Sequence, residues 1–465
     1  MTRWSFCLAS ALLLACYQSS ELPVSPDGVP LAGVVSERLT LETDDGEADA
    51  LFGEDAFETF ELRLSEKNYA FLDADPTAEQ YVEGELVYDG QVYPAGIRYK
   101  GSIGAWHRQG QRCVGEGRFT PAPDGPKTCH KLSLKVSFNE YDPEGRFKGL
   151  KKVLFHSLNT DPSLMRERLA YEIFRKMGIA APRASHARLL INGEFWGVYA
   201  FIEYIDGRFT RSRWSSGEGN LYKELWPRVD DRFRENTEQL LQTGLRTNED
   251  EQPSFDGFVG FETAMKAAGN DDERLAVLRK WVDVDYMLRY LAADRAAAHD
   301  DGVLHFYPTG ETWYNHNFYW YEALDHDRLW LIPWDMDTAW SPANLITDIK
   351  TAWNDREAGC TSIAGGFGIP QLPPACHPIV RALADPSLHA AFVGHVEELL
   401  DEHLAEDVIN ARITKWSALI ADSVAESADA FEGEPSVEDW QAGKVALKQA
   451  IEQTRSELRA MIGPR

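Results

Sequence analysis

His299-Asp300-Asp301-Gly302 opens a stretch that continues through Asn315-His316-Asn317-Phe318-Tyr319-Trp320-Tyr321 to Leu329-Trp330-Leu331-Ile332-Pro333-Trp334-Asp335-Met336-Asp337. Two apolar, aromatic runs joined by a short polar link, Glu322 to Arg328, are the pattern of a β-hairpin with acidic groups at its open end. In extended chain Asp335 and Asp337 share a face, roughly 7 Å apart at a rise of about 3.3 Å per residue, and Trp334 and Met336 take the other. Two carboxylates with an amide nearby suit a hard divalent cation such as Mg²⁺, which takes one or two carboxylates and completes its shell with water and substrate phosphates. The plainer reading makes the two acids turn residues. It has to place them directly after a run expected to be buried, where unpaired charge is costly.

The chain has 465 residues, 44% hydrophobic and 26% charged, enough for two or three domains and a sizeable core. Its formal net charge of −27 disfavours nucleic acid as a partner through phosphate repulsion. The N-terminus reads as a targeting segment. Arg3 is followed by an apolar run, Phe6 to Leu14, and Leu13-Leu14-Ala15-Cys16 resembles a bacterial lipobox, which implies cleavage before a lipidated Cys16 and attachment to a membrane; a plain secretory signal is the alternative. Cys113, Cys129, Cys360 and Cys376 remain in the exported chain, and their local spacing of 16 predicts disulfides Cys113–Cys129 and Cys360–Cys376. A four-thiolate zinc site lacks the Cys-x-x-Cys spacing it would need.

Residues 17–54 are polar and acidic and read as a linker. A strand is expected over Thr59 to Leu64. Tyr81 to Tyr88 and Val92 to Lys100 form a hairpin around Asp89-Gly90, and its second strand ends Arg98-Tyr99-Lys100-Gly101. Lys131 to Phe138 alternates as a strand, with Lys131 and Lys135 on its polar face as phosphate-binding candidates or as solvated charges. Asp161-Pro162 predicts a helix start and Met177-Gly178 its end; Glu167 and Glu172 on that helix are candidates for reaching a strand lysine. Ser185 to Ile202 forms another hairpin around Asn192-Gly193 and runs into Glu203-Tyr204. Helical pattern dominates from about 231 to 298 and from about 378 to 462. The predicted fold class is therefore α+β in two lobes, a β-rich N-terminal lobe over 55–205 and a mainly helical C-terminal lobe over 206–465, with a cleft between them.

Taken together, Arg98-Tyr99-Lys100-Gly101-Ser102, Asn192-Gly193-Glu194-Phe195-Trp196-Gly197-Val198-Tyr199, Gly219-Asn220-Leu221-Tyr222-Lys223, Asn317-Phe318-Tyr319-Trp320-Tyr321 and Pro333-Trp334-Asp335-Met336-Asp337 resemble, in order, the spore-coat protein H (CotH) kinase family. The resemblance implies an atypical protein kinase-like fold that phosphorylates exported proteins on serine or threonine with ATP and Mg²⁺ or Mn²⁺. It implies a catalytic role for Asp301, with Asp300 competing, and metal binding by Asn317 and Asp335 with Asp337 beside them. It implies a nucleotide lysine on the strand of Lys131 and Lys135, its ion-pair helix with Glu167 or Glu172, and a hinge at Glu203-Tyr204. Arg98, Lys100, Lys223 and Trp334 complete the candidate cofactor-binding set. The separation of 16 positions between Asp301 and Asn317 departs from typical kinases and marks an inserted loop. Two other readings use the same residues: a cell-surface binding protein without turnover, and transfer of AMP.

Overall fold

Seven strands close on one another through a chain of hairpins and one long-range parallel pairing. They are β1 (Phe57–Leu64), β2 (Val82–Tyr88), β3 (Gln91–Tyr99), β4 (Leu134–Ser137), β5 (Lys152–His156), β6 (Ala184–Ile191) and β7 (Glu194–Glu203). The order around the barrel is β1-β2-β3-β4-β5-β7-β6, and β6 runs parallel to β1, with Phe57 opposite His186 and Leu62 opposite Ile191. This computed structural model describes residues 46–101, 107–108, 111–114, 125–214, 217–249, 254–323, 328–341, 353–364 and 369–463. The leader and Cys16 lie outside the described residues.

The tight turns follow from residues that tolerate positive φ. Asp89 and Gly90 take φ 49° and 72°, and Asn192 and Gly193 take φ 52° and 85°. Alternation along the strands then fills the barrel with Phe60, Leu62, Leu86, Ile97, Val136, Phe155 and Phe201. Phe60 stacks on Phe201 at 4.8 Å between centroids and meets Phe155 edge-on at 5.4 Å. β5 and β7 are covered on their outer side as well, Leu154 and Ile202 joining the helical core, so both strands read as continuous apolar runs.

Helix α1 (Arg166–Lys176) lies on that outer side and buries Leu169, Ala170, Tyr171, Ile173 and Phe174. It begins four residues after the expected start at Pro162, because Leu164 takes φ 60° and interrupts it. Asp161 still serves the helix end, Oδ2 accepting from the Arg166 amide at 2.8 Å and Oδ1 from the Ser163 amide at 2.9 Å. Further helices include α2 (Asp271–Trp281), α3 (Val284–Ala296), α4 (Glu406–Ala430) and α5 (Val437–Ile462). Among the described residues no helix is long and apolar enough to cross a membrane. A second sheet of β8 (Asn220–Lys223), β9 (Phe318–Ala323) and β10 (Arg328–Pro333) is set among the helices. The hairpin read from the sequence is its antiparallel β9–β10 pair, with Phe318 opposite Pro333.

The mixed α+β class holds, but the β-rich portion is a closed barrel, and the C-terminal helices pack back on it instead of forming a detached lobe. Arg188 pairs with Glu426 at 2.6 Å, and the Trp440 indole donates to the Ser163 carbonyl at 3.1 Å. The last part of the expected linker is also folded onto the barrel: Gly46–Phe52 is a 3₁₀ helix, and Phe52 stacks on Phe201 at 5.2 Å. Both expected disulfides, Cys113–Cys129 and Cys360–Cys376, are formed.

Candidate active site

At the open end of the β9–β10 hairpin the chain stops being extended. The Trp334 amide donates to the Asn317 carbonyl at 3.1 Å, and Asn317 and Asp335 both take left-handed backbone, φ 64° and 55°. Met336–Thr338 follow as a 3₁₀ turn. Simple strand alternation therefore does not describe Asp335 and Asp337; the turn brings them together instead. Left-handed backbone at a residue other than glycine is strained and is held here by its surroundings. The Asp335 amide donates to the Tyr171 hydroxyl of α1 at 3.0 Å.

Asp301 sits beside Asn317 despite the inserted loop. The Asn317 Nδ2 donates to the Asp301 carbonyl at 2.9 Å and to its Oδ2 at 3.0 Å. His316 Nε2 lies 3.0 Å from Oδ1, which also accepts from the Tyr307 hydroxyl. Burial alone would raise the Asp301 carboxyl; the His316 charge and these hydrogen bonds outweigh it and hold the group at about 2. Burial would likewise depress His316, and Asp301 reverses it to about 9, so the imidazole is protonated. Asp300 points elsewhere, its Oδ1 lying 3.8 Å from His305 Nε2. Gly302 has no room for a side chain: a Cβ would meet His299 Nδ1 at 2.4 Å.

Facing these acids, the barrel wall presents Lys100, which follows β3. Its Nζ donates to His156 Nε2 at 2.8 Å and lies 5.4 Å from the centre of the Trp334 ring. His156 Nδ1 is 2.9 Å from both carboxylate oxygens of Glu167, which is fully buried on α1. Burial first, then the Asp335 charge, push Glu167 up to about 8 against the pull of Lys100. Asp337 is pushed well above the usual carboxylate range by burial and by Asp335, Glu167 and Asp301. Several carboxylates are thus gathered at one point facing one ammonium.

The other candidates are placed as follows. Lys135 rests on Tyr204, 2.9 Å from its hydroxyl and 4.3 Å from the ring centre, and burial above all brings it down to about 8. Arg98, opposite Lys135 in register, pairs with Glu79 at 2.9 Å. Lys223 lies 3.5 Å from Glu224. Lys131 is not in the cleft: it precedes β4, donates to the Val198 carbonyl at 2.7 Å and pairs with Glu434 at 3.4 Å. Glu172 binds Arg412 at 2.7 Å, and Glu203 binds Arg183 and Arg213 at 2.9 and 2.6 Å. His156, Tyr171, Tyr307 and His316 were not anticipated. Tyr171 had a legible signal, standing one helical turn after Glu167 on the same face.

The donor set fits a divalent cation. Asp335, Asp337 and Asn317 offer oxygen atoms of the kind Mg²⁺ or Mn²⁺ prefers, and the mutual repulsion expressed at Asp337 is what a cation would relieve. His156, Glu167 and Asp335 also bring ligand atoms within 4.8 Å of one another. There, however, the Lys100 ammonium already occupies His156 Nε2, so that group reads as the seat of the lysine. A family model described as CotH kinase protein matches residues 97–458. The chain belongs to the CotH kinase family. It is similar to inner spore coat protein H of Bacillus subtilis (strain 168), 27% identical over 218 residues that cover 45% of this chain and 55% of that protein. It is also similar to spore coat protein homolog 1 of Rhizopus delemar, 24% identical over 217 residues that cover 42% of this chain and 31% of that protein. The chain spans about half, or less, of the length of these relatives. The CotH match contains every residue of the cleft from Lys100 to Asp337, whereas β1 and β2, which close the barrel, precede it.

Proposed function

We propose that the protein is an ATP- and divalent-metal-dependent kinase that transfers the γ-phosphoryl group to serine or threonine hydroxyls of exported proteins. The observation that carries this reading is the convergence of Asp301, Asn317, Asp335 and Asp337 at the end of the β9–β10 hairpin opposite Lys100. In a chain of net charge −27, the wall above these acids is cationic: Lys100 just past the end of β3 and Lys135 on β4 are charged neighbours, and Lys152 lies near Tyr204. That arrangement suits a polyphosphate together with a divalent ion. Asp335, Asn317 and Asp337 would hold a divalent ion, which would supply charge neutralisation at the phosphates. Lys100 contributes positive charge from the barrel side. Asp301, held at about 2, is a weak base, so its task is to orient the acceptor hydroxyl. Little covalent work falls on the protein in a loose phosphoryl transition state, and positioning of this kind supplies the rate.

The two disulfides fit an oxidising compartment. With the lipobox-like segment they support an exported protein held to a membrane through Cys16, whose acceptors are other proteins of the cell envelope. The test is incubation of the purified protein with labelled ATP, Mg²⁺ or Mn²⁺ and extracts of its own envelope. The expected product is a protein carrying one phosphate on serine or threonine. A mass increase of one AMP would replace this reading by nucleotidyl transfer. Failure of the wild type to show an ATP-dependent thermal shift with any divalent ion would replace it by the binding protein.

A further inference from the structure

We propose that His156 is a positioning residue that links Glu167 on α1 to the Lys100 ammonium, so that the lysine is held toward the phosphates through an imidazole bridge. The inference rests on the kinase reading above. Its geometry is set by hydrogen-bond chemistry. A lysine ammonium only donates, so His156 Nε2, 2.8 Å away, must be the acceptor; Nδ1 then carries the proton and donates to Glu167 at 2.9 Å.

The bridge is fixed from every side. The Lys100 amide donates to the Ser133 carbonyl at 2.9 Å, and the Ser133 hydroxyl accepts from the Ser157 amide at 2.9 Å, tying the ends of β3, β4 and β5 together. Trp334 closes the remaining side, meeting His156 edge-on at 5.9 Å and lying under Lys100. Glu167 is wholly buried on α1. The imidazole carries its influence outward while leaving the ammonium at the cleft, within the field of Asp335. Movement of α1 would reach the lysine through His156.

The test is a double-mutant cycle on the full-length exported protein, read as KM for ATP, kcat and the thermal shift produced by ATP with Mn²⁺. His156→Leu is expected to raise KM about tenfold, within the coupling range of residues in one hydrogen-bond network. In a Lys100→Met background it should add nothing further. His156→Gln, whose amide offers a donor and an acceptor at the same end, should recover most of the loss. Independent, multiplicative effects of Lys100→Met and His156→Leu would overturn the proposal, as would a Gln variant no better than Leu. If His156→Leu does not fold, the cycle of Lys100→Met with Glu167→Gln asks the same question: the Glu167 effect must vanish once the lysine is gone. A wild type that binds no ATP overturns this inference together with the kinase reading, whereas a wild type that binds ATP with an additive cycle overturns this inference alone.

Discussion

Glu203 and Glu167 are both buried glutamates at the wall between barrel and helices, and their surroundings drive them in opposite directions. Burial would raise the Glu203 carboxyl, but the guanidiniums of Arg213 and Arg183, 2.6 and 2.9 Å away, reverse it and hold the group at about 2. Glu167 meets a neutral imidazole and a neighbouring aspartate, and is pushed up to about 8. The first is a completed ion-pair network, which ties the end of β7 to the segment before β6 and, through Arg183 and Asp49, to the 3₁₀ helix at Gly46–Phe52. The second belongs to a cluster whose carboxyl groups cannot all ionise beside the protein's own cations. A buried acid that the protein fully pairs is scaffold; buried acids that it leaves under-compensated point to a ligand that brings positive charge.

The sharpest way to break this contrast is Asp335→Asn. It keeps the shape of the cluster and removes one charge, and it should lower phosphoryl transfer by roughly 10³-fold, the scale on which charge-neutralising groups act in such reactions. ATP-dependent thermal shift with Mg²⁺ or Mn²⁺ should fall with it. The apo protein, by contrast, should melt no lower than wild type, since Asp337 and Glu167 lose the charged neighbour that opposes their ionisation. A variant with normal transfer would remove Asp335 from the metal site.

Glu203→Gln should do the reverse. Removing one partner of a buried network takes the carboxylate from Arg213 and leaves Arg183 with Asp49, and costs about 3 to 5 kcal/mol, measured by denaturant unfolding at pH 7. The same network fixes an acid response. Because the folded carboxyl is held at about 2, below the usual 4.5, its stabilisation is complete above the unfolded value and is lost as pH falls from about 4.5 toward 2. The wild type should lose stability steeply across that window, and Glu203→Gln should show a shallower slope. Parallel acid profiles for the two proteins would mean that other carboxylates govern acid unfolding.

The legible and illegible parts of this molecule divide along the same line as local and distant contacts. Hairpins at Asp89-Gly90 and Asn192-Gly193 declare themselves because few residues accept positive φ there. Barrel closure does not, since β1 and β6 meet only after more than a hundred intervening residues, as in the Leu64 amide donating to Asn192 Oδ1 at 2.8 Å. In the site, Asp301, Asn317, Asp335 and Asp337 stand out as polar residues at the end of an apolar hairpin. The backbone that joins the last two was misread, because alternation stops at Pro333. The lysine was harder. Alternation cannot tell which side of a barrel wall meets the helices, and it does not extend to Lys131, which lies before β4 and pairs with a residue 303 positions away. Lys100 reaches α1 through His156, a contact 56 positions distant from its own place in the chain.

The smallest effect sharpens the comparison most. Glu167→Gln in the metal-free protein should change stability by less than about 1 kcal/mol, far less than Glu203→Gln, although both glutamates are fully buried. The reason lies in what each carboxylate does for its neighbours. Gln at 203 cannot replace a negative charge between two guanidiniums, whereas Glu167, pushed up to about 8, already holds its proton at pH 7, so Gln at 167 changes little charge and still offers an oxygen to the His156 Nδ1–H. Burial alone would rank the two substitutions alike, so the measurement decides between solvent exclusion and pairing as the source of the difference. Chemical denaturation of both variants in EDTA checks it. A loss at Glu167 as large as that at Glu203 would mean that the cluster is already balanced by the protein's own cations, and the argument for a bound metal would lose its electrostatic support.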